Sequence, residues 1–432
     1  MNYLHVIASM NPRAGGPCQG VRNLAAQALE GGHSLEVVCL DDPAAAYLAG
    51  EKITVHALGQ RRGAWGYHPA LRPWLVENLP RFDVVILNGL WLYPGYVLSK
   101  LALQPNGPPY FVFPHGMLDP WFQRAPGRRW KAFRNWVYWK LIERHVIDRA
   151  AGILFTCAEE LRLAQDTFRP YHPQQQINVG YGVAQPPEFN PRMAAAFQQS
   201  CPGLNDRPYY IFLGRIDSKK GVDLLLEAYA AVHGNAAGAG VPPANSGPAP
   251  TPALVVAGPG LDTEYGQRMQ QLARKLCPPA PDSGARPAVF WPGMLTGDAK
   301  WGALYRASAF VLPSHQENFG IAVVEALACA TPVLISNQVN IWREIKADGA
   351  GLVAADTAEG VRQLFAQWEH LSAEAKQAMI QAAKHSYYNR FGVVNAARSL
   401  LMTLEELSSK KKTHAAELLP LRRLFSRTAH KS

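Results

Sequence analysis

No stretch of the 432-residue chain approaches the roughly 20 consecutive apolar residues that a membrane-spanning helix needs. Met1-Asn-Tyr-Leu-His-Val-Ile7 reads directly as a strand, with no leader pattern, and the expected location is the cytoplasm. Cysteine is scarce and scattered: Cys18, Cys39, Cys157, Cys201, Cys277 and Cys329 form no Cys-x-x-Cys pair and no Cys/His cluster. That excludes a disulfide framework and a zinc site, and leaves them as reduced core residues. The loop after the first strand, Asn11-Pro-Arg-Ala-Gly-Gly-Pro-Cys-Gln-Gly20, lacks the Gly-x-Gly-x-x-Gly spacing, which argues against a nicotinamide enzyme. There is no Asp-x-Asp, hence no paired-aspartate motif for a divalent cation, and no internal repeat stands out.

What is present is ordinary globular material, 48% apolar and 18% charged, enough for two domains with full cores. The formal charge of +10 is concentrated. Residues 121–149 carry eight Lys/Arg against two acids, and the tail from Lys410 carries seven against Glu417. Such patches attract anionic lipid headgroups or other polyanions, although a solvated helix face and a free tail explain them too. Within the first patch Trp130, Phe133, Val137 and Leu141 recur at helical spacing beside Trp136. That is the pattern of an interfacial membrane helix, and equally of a helix packed on its own domain.

Apolar runs place strands at Leu4–Ser9, Leu35–Leu40, Ile53–Leu58, Asp83–Asn88, Tyr110–Pro114 and Ala151–Thr156, with a first helix over Gly20–Glu30. The run Gln185–Pro191 and the polar residues up to Arg207 read as a linker. Strands resume at Tyr209–Gly214, at Leu254, at Val289–Gly293, at Ala309–Leu312 and at Pro332–Ile335. Residues 234–251 and 278–287 read as low-complexity loops. Strands alternating with helices predict doubly wound α/β domains, whose ligands bind past the carboxyl ends of the strands. His115, just past one strand end, is placed there, and the glycine-rich first loop lets backbone amides face a ligand at the strand ends.

The chain's most informative stretch follows Leu312. Pro313-Ser-His-Gln-Glu317 is a polar loop, a helix opens near Gly320, and Glu325 falls in that helix's second turn. Amides of Asn318, Phe319 and Gly320 at a helix start suit an anion. Upstream, Arg215 and Lys220 follow another strand end. Two cations so placed can bind a diphosphate, the arginine through its planar fork and the lysine as a mobile point charge.

Glu-x7-Glu inside Glu317-Asn-Phe-Gly-Ile-Ala-Val-Val-Glu-Ala-Leu-Ala-Cys-Ala-Thr-Pro-Val333, with Gly214-Arg-x4-Lys-Gly221 and Val256-Ala-Gly-Pro-Gly260, resembles the family 4 retaining glycosyltransferases. The resemblance implies the α/β GT-B architecture of two Rossmann-like domains facing across a cleft, with a C-terminal helix crossing back to the first. It places an acceptor-binding domain at 1–190, a nucleotide-sugar-binding domain at 205–385, the crossover helix at 386–408 and a basic tail at 409–432. It implies a UDP- or GDP-sugar donor with Arg215 and Lys220 on the diphosphate. Glu325 would take the ribose hydroxyls, Glu317 and His115 the sugar hydroxyls. The 318–320 amides, Gly15, Gly16 and Gly258 would lie near the donor.

A sugar nucleotide reacts by losing a diphosphate from the anomeric carbon, so the site needs fixed positive charge and hydroxyl ligands. The family's reaction retains anomeric configuration, and without Asp-x-Asp the positive charge is expected from protein cations in place of a metal. The expectation is a hexosyltransferase without cofactor, acting on a glycan or lipid-linked acceptor for cell-surface polysaccharide or glycolipid. Peripheral contact with an anionic membrane through 121–149 and the tail is expected; a nucleic-acid partner is not. A GT-B epimerase or phosphorylase, or a non-catalytic nucleotide-sugar-binding subunit, stays open. Relatives carry His-Gly-Leu-Trp where this chain has Asn88-Gly-Leu-Trp91, so no role is assigned to Asn88.

Overall fold

A computed structural model describes residues 1–12, 15–101, 107–125, 127–233, 251–278 and 287–408. Most of the two low-complexity loops and the basic tail lie outside these residues. The chain forms two compact units. The first comprises Met1–Gly182 with the chain from Val393 onward; the second comprises Val183–Gly392.

Unit 1 is built on seven strands: β1 (Asn2–Ile7), β2 (Ser34–Cys39), β3 (Thr54–Ala57), β4 (Val84–Asn88), β5 (Tyr110–Phe113), β6 (Gly152–Phe155) and β7 (Gln176–Asn178). They lie parallel in the order β3-β2-β1-β4-β5-β6-β7. Alternation of side chains along each strand splits the core in two. Leu4, Val6, Val85 and Leu87 belong to one apolar cluster, Tyr3, Ile7, Val84 and Ile86 to the other. Burial on both faces is why these strands read as continuous apolar runs. Helix Gly16–Glu30 and the helix over 393–408 close the second face, through Val21, Leu24, Ala397, Leu400, Leu401 and Leu404. The first helix starts one turn earlier than expected, because Pro17 fits the amide-poor first turn and Gly15 takes φ 98° as its N-cap.

Unit 2 repeats the plan with β8 (Tyr209–Leu213), β9 (Ala253–Ala257), β10 (Val289–Gly293), β11 (Ala309–Leu312), β12 (Val333–Ser336) and β13 (Gly351–Ala354), in the order β10-β9-β8-β11-β12-β13. Both sheets reverse direction of winding beside their first strand, at β1/β4 and at β8/β11. A ligand crevice opens at such switch points. The expected linker is corrected in part: Pro191–Ser200 is a helix. Asn190 caps it by accepting from Arg192 N at 3.0 Å, Pro191 occupies its first turn, and Met193 and Phe197 are buried.

Residues 129–149 are helical throughout, with a wider π-turn at Trp139–Glu143. Trp139 is fully buried, whereas Trp130 is 87%, Phe133 58%, Trp136 48% and Leu141 69% exposed. Most of the apolar stripe therefore faces outward, with Val137 half-buried. Among the described residues no helix is long and apolar enough to cross a membrane.

Candidate functional site

In unit 1 the loop leaving β1 is tied by Asp41, whose carboxylate accepts from Ser9 Oγ at 2.6 Å, Met10 N at 2.6 Å and Tyr47 OH at 2.9 Å. The Gly15 amide donates to Pro12 O at 3.3 Å, and the Gly16 carbonyl accepts from Tyr181 OH at 2.6 Å.

His115 follows β5 with φ 51°, its ring stacked on Phe113 at 4.5 Å. Its Nε2 lies 3.2 Å from Asn88 Oδ1, and Asn88 Nδ2 lies 3.0 Å from His5 Nδ1. With the amide oxygen accepting, His115 carries its proton on Nε2 and keeps a lone pair on Nδ1. Burial pulls the His115 pKa down to about 3, with His5 adding to the effect, so the ring is neutral at physiological pH. The turn itself is held by Glu160. Its Oε1 accepts from Gly116 N at 2.5 Å while Oε2 accepts from Thr156 N at 2.8 Å. His5, Asn88 and His115 line a cavity of about 40 Å³ together with Tyr181 and Ala396. Asn88, given no role from sequence, thus joins two histidines; its place at the strand end was the available signal.

In unit 2 the loop after β8 is pressed onto the end of β11. Gly221 has φ +67°, and a Cβ there would sit 2.2 Å from Pro313 O, so only glycine lets the loop approach. Ser314 Oγ and His315 N both donate to Lys219 O, at 3.1 and 2.8 Å. The result is a direct contact of Lys220 Nζ with Glu317 Oε2. Glu317 is fixed by its backbone: its amide donates to Gln338 O and its carbonyl accepts from Asn340 N, both at 2.9 Å. Arg215, past the end of the same strand, is 70% exposed and lies 3.5 Å from Asp217. His315 Nδ1 sits 2.9 Å from Asp356 Oδ2.

Helix Ile321–Ala328 opens after Gly320, which takes φ 79° as its N-cap. Phe319 turns its ring into the core against Phe391 at 5.8 Å, so only its backbone is suited to a ligand. Glu325 Oε1 accepts from Lys300 Nζ at 2.8 Å, a partner that the sequence did not suggest. Gly258 has a packing reason of its own, since a Cβ there would lie 1.8 Å from Gly214 O. Arg215, Lys220, Glu317–Gly320 and Glu325 all belong to unit 2, where Lys220 meets Glu317, while Gly15, Gly16 and His115 belong to unit 1. Among the described residues no three His, Cys, Asp or Glu side chains group as a metal site.

Two family models cover most of the chain: "Glycosyl transferase 4-like domain" matches residues 15–180, and "Glycosyl transferases group 1" matches 197–386. A relative, the alpha-maltose-1-phosphate synthase of Mycolicibacterium smegmatis, is 34% identical over 69% of this chain and 74% of its own. The chain belongs to the glycosyl transferases group 1 family. An uncharacterized glycosyltransferase of Methanocaldococcus jannaschii is 25% identical over 52% of this chain; the match spans 53% of that relative, about half its length. The fold is GT-B. The Anabaena protein HepE, solved in complex with UDP and glucose, superposes with a TM-score of 0.69 at 16% identity, covering 94% of this chain and 99% of that one. In family terms, the two strand-end clusters lie one in each matched domain.

Proposed function

We propose that the chain is a retaining, metal-independent hexosyltransferase. It would move a hexose from a UDP- or GDP-sugar to a glycan or lipid-linked acceptor in cell-surface polysaccharide or glycolipid synthesis. The observation that carries this reading is the Lys220–Glu317 contact at the β8/β11 switch point, with the Arg215 fork exposed past the end of β8. A diphosphate arriving there is met by Arg215, by Lys220 and by the 318–320 amides, which offset the charge that grows on the leaving group. As Lys220 turns to phosphate, Glu317 is released to accept from a sugar hydroxyl. Glu325 accepts from the ribose, and His115, neutral and with its lone pair on Nδ1, accepts from a hydroxyl on the sugar. The cations belong to the protein, so no cofactor is required; the lack of Asp-x-Asp supports the metal-free reading. The exposed Trp130, Phe133, Trp136 and Leu141, set among arginines and lysines, support peripheral attachment to an anionic membrane surface, where a lipid-linked acceptor would reside. The basic tail, also assigned to that surface, lies outside the described residues.

The test is calorimetry with UDP and GDP in the absence of metal, on the intact protein and on Arg215→Ala. Binding that favours one base and weakens about tenfold or more in the variant is expected. Donor transfer abolished in Glu317→Ala completes the case. A folded protein that binds neither nucleotide overturns it.

A further inference from the structure

Two lysines from different segments each hold one carboxylate of the Glu-x7-Glu pair: Lys220 holds Glu317, and Lys300 holds Glu325. The second pair has no place in the reading so far. Lys300 lies on helix Gly297–Tyr305, which follows the loop leaving β10. Its Nζ is 2.8 Å from Glu325 Oε1 and 3.9 Å above the centre of the Trp301 ring. The side chains of Lys300 and Glu325 are 20% and 15% exposed, so the pair is largely sheltered and still within reach of a ligand.

We infer that Lys300 is a nucleotide-binding residue that reads the ribose jointly with Glu325; the inference rests on the assignment of Glu325 to the ribose. The ammonium has three donors. One is given to Glu325 Oε1 and one faces the Trp301 ring, whose negative face attracts it. The third is left for a ribose oxygen, while Glu325 Oε2 accepts from the neighbouring hydroxyl. A vicinal diol is thereby read by one donor and one acceptor held in fixed relation. Charge supports the same conclusion. A bare carboxylate on the helix that follows the 318–320 amides would repel a diphosphate through a poorly screened medium, and Lys300 neutralises it. The class of ligand selected is a ribonucleoside diphosphate with both hydroxyls present.

The test is calorimetry with UDP, 2′-deoxy-UDP and 3′-deoxy-UDP, and with the guanosine counterparts, on the full chain, Lys300→Met and Lys300→Arg. The intact protein is expected to prefer the ribonucleotide by about tenfold or more. In Lys300→Met that preference falls to within about threefold and the ribonucleotide binds about tenfold more weakly; Lys300→Arg recovers most of both. Unfolding of each variant without nucleotide checks that the fold is intact. A Lys300→Met protein that is destabilised yet discriminates like the intact chain would make the pair a structural tie and overturn the inference. Tighter binding by Lys300→Met overturns it as well, since the lysine would then be a plug. An intact protein that binds ribo- and deoxynucleotide equally, with Arg215→Ala still weakening both, defeats the ribose clamp while sparing the diphosphate site. No binding of either nucleotide defeats the underlying functional reading and this inference with it.

Discussion

Glu143 provides a sharp test of how burial sets charge in unit 1. It closes the π-turn, is 1% exposed, and has no side-chain partner for its carboxyl among the described residues. Burial pushes its pKa from 4.5 up to about 8, with the backbone amide of Trp91 drawing it partly back. The folded protein therefore holds a proton that the unfolded chain releases near pH 4.5. Stability from this group is complete below the unfolded value and is lost as pH rises through the folded value. At about 1.4 kcal/mol per pH unit the full difference is about 4 to 5 kcal/mol, and about 3 kcal/mol of it is already lost by pH 7. Glu143→Gln keeps the shape and removes the proton. Groups elsewhere in the protein also change charge over the pH range, so the quantity to read is the difference between protein and variant. Urea unfolding followed by tryptophan fluorescence from pH 5 to 9 supplies it. The two proteins should match near pH 5, with the glutamine variant the more stable by several kcal/mol above pH 8. A difference that stays constant across this range would refute the reasoning.

Three further outcomes follow from the same structure. Gly221→Ala places a Cβ against Pro313 O in a left-handed backbone; it should lower stability by about 1–3 kcal/mol and weaken nucleotide binding as Lys220 is displaced, measured by unfolding and calorimetry. Trp130→Ser with Phe133→Ser removes two exposed rings; sedimentation with anionic vesicles at low salt should fall by at least about tenfold, with circular dichroism unchanged. Asn88→Leu strips partners from His5 Nδ1 and His115 Nε2 and should cost about 1–3 kcal/mol of stability in chemical denaturation.

The central strands of both sheets were legible because burial on two faces writes them as apolar runs. Of the four edge strands, Thr54–Ala57 and Val289–Gly293 were also readable, but two were not: Gln176–Asn178 is short and half exposed, and Gly351–Ala354 is only four residues. The helix at 191–200 was hidden by composition, although Asn190-Pro191 is itself a start signal. Periodicity found the stripe through Trp130 and Leu141 but left open which way it points; it faces solvent, and the fully buried ring is Trp139. In unit 2 the motif residues were readable because their spacing is local. Lys300 was not, because its contact with Glu325 spans 25 residues and a strand crossover, and nothing near Asp298-Ala-Lys-Trp301 marks it.

The chain passes out of unit 1 at Gly182 and returns at Val393, and Leu400, Leu401 and Leu404 sit in the same apolar cluster as Tyr3 and Ile7. During synthesis, then, the first unit made is the last to be finished. Roughly two hundred residues of unit 2 must emerge before that sheet face can be sealed, a wait of about 10 to 40 s at typical rates of elongation. Unit 2 has its whole sequence by then and can fold ahead of its elder. Any nascent chain stalled before Val393 would carry an open apolar face, the kind of surface that chaperones hold and that aggregation exploits.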